Sequence, residues 1–149
     1  MPLSREDSAG YMTNWAARLF TRELERQLQP SGIASAYMPV LFALADGGAL
    51  TQKELARRAA VEQPTMAATL NRMERDGYIA RQPDPKDRRS ALVRLTPASL
   101  DRVGFVKEVV EAINALALQG LSAEEKADYF RLTGRIIATL EARDAEADD

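Results

Sequence analysis

The chain of 149 residues contains no cysteine and no histidine. Without cysteine, disulfides, thiol nucleophiles and cysteine-based redox switches are excluded outright. Without histidine, the most frequent general base and transition-metal ligand is missing, which leaves only carboxylates, lysine and tyrosine for catalysis. No apolar run approaches the roughly eighteen residues that span a bilayer. The opening MPLSREDSAG also lacks the basic-then-apolar order of a secretory signal. The chain therefore reads as cytoplasmic, with no membrane partner, no cofactor, no metal site and no enzymatic activity expected.

What is present describes a folded domain: 46% hydrophobic and 28% charged residues, with few glycines or prolines. The length suits one domain, or a compact domain with helical extensions. The formal net charge of −2 hides a segregation of charge. Residues 50–95 hold ten Lys or Arg against six Asp or Glu, for +4, whereas the remainder holds ten against sixteen, for −6. The stretch DPKDRRSALVRLT, residues 84–96, alone gathers Lys86, Arg88, Arg89 and Arg94. A basic middle between acidic ends points to a polyanionic partner for the middle.

Periodicity gives the order helix, helix, helix, helix, hairpin, helix, helix, a mainly α fold with a small β-hairpin. The first helix carries Tyr11, Met12, Trp15, Leu19, Phe20, Leu24 and Leu28 on one stripe and ends at QPSG (29–32). The second covers about 35–45, with Pro39 in its first turn. Thr51 and Glu54 form a capping box that opens the third helix, which runs to about Ala59. The fourth begins near Pro64 and is closed by Gly77 as a left-handed cap. Two strands, YIARQ and ALVRL, pair with Ile79, Val93 and Leu95 inward and Arg81 and Arg94 outward. Their connection, 83–90, exceeds an economical turn, so its tip should project. Thr96 caps the fifth helix, with Leu100, Val103, Val106, Val110, Ile113 and Leu116 on its apolar face. Ser122 and Glu125 open the sixth, which has Phe130, Leu132, Ile136, Ile137 and Leu140 to bury. The expected organisation is 8–45 for a dimerisation helix and the first helix of the lobe, 46–96 for the lobe itself, 97–142 for dimerisation helices, and 143–149 for a frayed acidic tail.

Helices two to four followed by a hairpin are the pattern of a winged helix-turn-helix, whose second helix of the turn enters the major groove. At 100° per residue, Met66, Ala67, Leu70 and Met73 of the fourth helix fall on the packed side. Pro64, Thr65, Ala68, Arg72 and Arg75 fall outward, with Thr69 and Asn71 on the flanks, and Gln63 and Thr65 can hydrogen-bond bases or phosphates near the helix N-terminus. That outward face is small, polar and basic, as close approach to base edges requires. The alternative is an ordinary solvated helix face. The cations at the hairpin tip, Lys86, Arg88 and Arg89, repel one another without a packing gain, and an arginine inserted in a narrow minor groove would gain from its potential. Asp87 is read either as a surface ion partner of Arg89 or as the group that orients it for the groove.

The segment from Leu50 to Pro97 resembles the DNA-binding lobe of the MarR (multiple antibiotic resistance regulator) family. Its most specific part is the wing pattern Asp-x-Arg-Ser-x-x-Val-x-Leu-Thr at Asp87, Arg89, Ser90, Val93, Leu95 and Thr96. The helix order extends the likeness from about Gly10 to Leu140. The resemblance implies a homodimeric transcriptional regulator, more often a repressor, in which helices one, five and six make the dimer and each lobe binds half of a palindromic operator. It places the wing arginine at Arg89 and recognition-helix contacts around Gln63, Thr65, Thr69 and Arg72. It also implies release by a small aromatic effector. The family's cysteine-sensing subset is closed to this chain, and sensing through His or Cys metal ligands is disfavoured.

Independently of that resemblance, the apolar stripes of helices one, five and six exceed what one lobe can cover, which calls for a twofold mate. Met12, Trp15, Arg18 and Tyr37 are the candidate lining of an effector pocket, although such aromatic residues more often form plain core. Two other classes remain open. One is an all-α dimeric interaction module with no DNA target. The other is an enzyme using carboxylates such as Glu54 and Glu62, positions that also read as a helix cap and a helix start.

Overall fold

Helix boundaries follow from local satisfaction of backbone groups. The computed structural model describes residues 3–147, of which those up to Ile113 form one compact unit and those from Asn114 a second. Helix α1 spans Ala9–Leu28, and its N-cap Ser8 accepts the Tyr11 amide at 3.2 Å. Gly32, at φ 73°, turns the chain after it. A short turn of 3₁₀ helix leads into α2, Met38–Leu44, with Pro39 in the first turn where no amide is missed. The expected capping box is present at the start of α3, Gln52–Ala59. Thr51 Oγ1 accepts the Glu54 amide at 3.2 Å, and Glu54 Oε2 accepts the Thr51 amide at 2.7 Å. That amide hydrogen bond, with the Thr51 hydroxyl, holds the Glu54 carboxyl below its ordinary range.

Helix α4, Gln63–Arg75, follows α3 after the turn Ala60-Val61-Glu62. It ends as the sequence indicates: Gly77 stands at φ 80°, its amide donates to Glu74 O at 3.1 Å, and the Tyr78 amide donates to Met73 O at 2.8 Å.

The sheet has three strands, β1 (Leu50–Thr51), β2 (Ile79–Asp84) and β3 (Asp87–Leu95), antiparallel in the order β1-β3-β2. The short β1 escapes sequence reading because two residues carry no alternation. The hairpin also differs from expectation. In place of a long loop over 83–90, pairing continues from Ile79↔Leu95 to Asp84↔Asp87, with one irregularity at Pro83/Asp84. Pro83 is tolerated because β2 is an edge strand and needs no outward amide there. Asp84 Oδ1 accepts the Lys86 amide and Asp87 Oδ1 the Arg89 amide, each at 2.9 Å, so side chains finish the ladder at the tip.

The core of the first unit joins Leu28, Tyr37, Val40, Leu44, Leu55, Leu70, Met73 and Val93, all at or near zero exposure. Helix α5, Pro97–Ala117, adds Val106, Val109 and Ile113. Thr96 caps α5 as expected, its Oγ1 accepting the Ser99 amide at 3.3 Å while donating to Gly77 O at 2.8 Å. The expected apolar face of α5 is only partly covered: Leu100 and Leu116 remain exposed, and Val109 is buried where Val110 is half-buried.

In the second unit, Ser122 and Glu125 exchange amide hydrogen bonds at 2.8 and 3.1 Å to open α6, Ala123–Ala147. Phe130, Leu132, Ile136, Ile137 and Leu140, expected to bury, are all exposed in the single chain. The tail expected to fray from 143 stays helical through Ala147, with Arg143 and Glu146 paired at 3.5 Å one turn apart. The last two residues of that tail lie outside the described residues.

Candidate nucleic-acid interface

The outer face of α4 is built as its periodicity dictates. Met66, Leu70 and Met73 are buried and Ala67 half-buried, so Gln63, Pro64, Thr65, Ala68, Arg72 and Arg75 are turned to solvent, with Thr69 half-covered on the flank. No side chain caps the N-terminus of α4. Its first-turn amides thus remain open, and with the helix dipole they favour an anion there.

Arg72 has no carboxylate partner among the described residues; its guanidinium carbon lies 5.8 Å from the centre of the Tyr37 ring. Arg75, beside it, pairs with Asp76 at 3.3 Å. The other oxygen of Asp76 accepts the Tyr37 hydroxyl at 2.7 Å. That bond, aided by Arg75 and Arg72, holds the Asp76 carboxyl below its ordinary range. Burial, then the Asp76 contact, pushes the Tyr37 hydroxyl above its own.

The second part of the surface is the tip of the β2–β3 hairpin. Lys86, Asp87, Arg88 and Arg89 are all exposed, and no described carboxylate pairs with the side chains of Lys86, Arg88 or Arg89. Asp87 was expected to pair with or orient the Arg89 guanidinium; its carboxylate instead takes the Arg89 main-chain amide. It shapes the turn and leaves the arginine side chain free.

Arg81 departs furthest from its expected place. The sequence predicts an outward side chain, yet Arg81 pairs across the ladder with Val93 and shares the inner face with Ile79. Its side chain is 25% exposed; Nη1 meets Glu74 Oε1 at 2.8 Å and Nη2 meets Asn71 Oδ1 at 3.1 Å. The signal was available, since residues two apart in a strand share a face. Asn71 is thereby committed to the hairpin.

The four residues expected to line an effector pocket are dispersed in role. Tyr37 is core, stacked edge-on against Tyr78 at 5.2 Å. Met12 and Arg18 are exposed, and half-buried Trp15 carries the Arg5 guanidinium 4.3 Å above its ring. A groove of about 350 Å³ in the first unit is lined instead by Leu41, Phe42 and Ala45 of α2 and by Val103, Val106, Lys107, Val110 and Glu111 of α5. Among the described residues there is no cluster of metal-ligating side chains, and no helix is long and apolar enough to cross a membrane.

Residues 31–90 match the MarR family model. An uncharacterized HTH-type transcriptional regulator of Bacillus subtilis (strain 168), YwoH, is 37% identical over 86 residues, which are 58% of this chain and 62% of that protein. The match thus spans less than two thirds of that relative's length. The crystal structure of a probable transcriptional regulator from Pseudomonas aeruginosa superposes with a TM-score of 0.79 at 26% identity, over 89% of this chain and 99% of that one. A structure of Bordetella bronchiseptica BpsR, solved to explain regulation of its DNA binding by 6-hydroxynicotinic acid, gives 0.81 at 25% identity over 91% and 97% of the two chains. The MarR family match thus falls on the helix-turn-helix and the cationic hairpin, and the fold of the chain is that of the regulators on which it superposes.

Proposed function

We propose that this protein is a sequence-specific DNA-binding transcriptional regulator, acting as a repressor on a palindromic operator as a homodimer and released by a small ligand. One observation carries the reading: the exposed basic face of α4 and a hairpin tip with three unpaired cations belong to one compact unit, bonded to each other through Arg81. Gln63, Pro64, Thr65, Ala68, Thr69 and Arg72 would lie along the major groove, with Thr65 and Arg72 the candidates for base contact. Arg75, Lys86 and Arg88 would meet phosphates, and Arg89 would enter the adjacent minor groove. Asp87 serves by fixing the turn. The exposed apolar residues of α1, α5 and α6 support the homodimer.

Ligand release is supported by BpsR, whose DNA binding responds to 6-hydroxynicotinic acid. The α2–α5 groove offers an apolar bed whose charged edge is Lys107 paired with Glu111 at 3.8 Å, suited to a small aromatic ligand. This favours the groove over the set Met12, Trp15, Arg18 and Tyr37. By linkage, a releasing ligand must bind the DNA-incompetent state better than the competent one.

The test is sequencing of genomic fragments retained by the purified protein, followed by titration of the recovered site at several salt concentrations. An inverted repeat is expected. Arg89→Ala should weaken binding and reduce the slope of log affinity against log salt by about one. An unchanged slope would remove the hairpin from the DNA, and absence of even nonspecific binding at low salt would favour a protein-interaction module instead.

A further inference from the structure

We propose that Arg81 is a positioning residue that sets the angle between the hairpin and the recognition helix α4, so that both meet one duplex. The inference rests on the DNA-binding reading above and adds to it a residue that touches no DNA. The base of the hairpin is held by Ile79, Val93 and Leu95 in the core and by Thr96 on Gly77. Among the described residues, no hydrogen bond joins α4 to the hairpin beyond Arg81 towards the tip. Its guanidinium spans two acceptors one turn apart on α4, Asn71 and Glu74, a fork that resists tilting in a way a single contact would not.

The leverage is considerable. Lys86 lies five residues beyond Arg81, about 16 Å at roughly 3.3 Å per residue, so a tilt of about 10° at the clamp displaces the tip by about 3 Å. That is the difference between a hydrogen bond to phosphate and none. Glu74 gains a second role: its carboxylate, occupied by Arg81, presents less uncompensated negative charge beside the recognition face.

Because the chain has no cysteine, paired labels can be introduced cleanly. Spin labels on Ala68→Cys and Lys86→Cys, with the labelled chain diluted into excess unlabelled protein, report the distance from helix to tip without DNA. A narrow distribution is expected in the parent, and a broadened one in both Arg81→Gln and Glu74→Ala at unchanged helix content. An equally narrow distribution in both variants overturns the proposal. On the recovered operator site, Arg89→Ala should cost about tenfold in affinity when Arg81 is present and less than about twofold when Arg81→Gln is already made, as coupled positions require. Equal losses in the two backgrounds overturn it as well. A parent that binds no DNA would sink the functional reading, while the distance measurement would still decide the clamp.

Discussion

At the scale of single residues, the surface is organised by side chains that lie beneath it. Tyr37 was a candidate for a ligand pocket and is instead a buried strut, its hydroxyl on Asp76 and its ring against Tyr78 and Arg72. Tyr78 is held in turn by Arg102 of α5, whose Nη1 donates to the hydroxyl at 2.9 Å. Removal of the Tyr37 hydroxyl should therefore leave a pH signature. The hydroxyl is pushed above its ordinary value of 10.0, chiefly by burial, so the folded state holds that proton more tightly than the unfolded chain. The resulting stability is complete below pH 10 and is lost as pH rises through the folded value. Tyr37→Phe, being unable to titrate, should lose less stability than the parent between pH 9 and the alkaline limit. Denaturant midpoints across that range check this, and parallel curves would show that the hydroxyl is not held as described. Asp76 acts at the other extreme: its depressed carboxyl favours the fold above the ordinary carboxylate range and stops doing so in strong acid.

At the scale of elements, two left-handed residues flank the recognition helix and are filled differently. Gly77 closes α4 at φ 80°, and Ala60 closes α3 at φ 52°. A Cβ at Gly77 would meet nothing within 4 Å, so Gly77→Ala isolates the backbone term, with an expected loss of about 1 kcal/mol. Ala60→Gly should go the other way, by about 0.5 to 1 kcal/mol once the greater freedom of glycine in the unfolded chain is discounted. Urea unfolding of both variants tests the pair; a destabilised Ala60→Gly would mean that the turn between α3 and α4 draws on the alanine methyl for packing. These caps also explain what was legible beforehand. Thr51 with Glu54, Ser122 with Glu125, Thr96 and Gly77 each declare a boundary through a local hydrogen bond, so all six helices and the buried face of α4 could be read from the sequence. Tertiary detail could not. The charge of Arg81 suggests an outward side chain where strand parity turns it inward, and Asp84 and Asp87 suggest a loop where they in fact satisfy the turn amides. Aromatic composition likewise does not reveal which ring lies inside the lobe, as Tyr37 does. The basic tip and the outward face of α4 were legible because neither depends on distant partners.

At the scale of the whole molecule, the chain carries more apolar surface than a soluble monomer keeps. Along α6, Phe130 is 56% exposed and Leu140 61%, with Ile136 and Ile137 both at 51% between them. A helix with no buried residue of its own calls for a second surface, which the proposed twofold pairing would supply. The acidic charge outside residues 50–95 would keep the ends off a polyanion that the basic lobes engage. Ile136→Glu should accordingly shift the protein from dimer to monomer in sedimentation experiments, and an unchanged dimer would place the interface elsewhere. DNA geometry supplies the stricter check. Two recognition helices reading an inverted repeat from one face must lie about 34 to 36 Å apart, one turn of the duplex. Insertion of about five base pairs between the half-sites rotates the second half to the far side of the DNA. Affinity for that spaced site should then fall to the level of an isolated half-site, which is also where Ile136→Glu should bind. If the spaced and native sites bind equally well, the two lobes do not act from a common twofold frame.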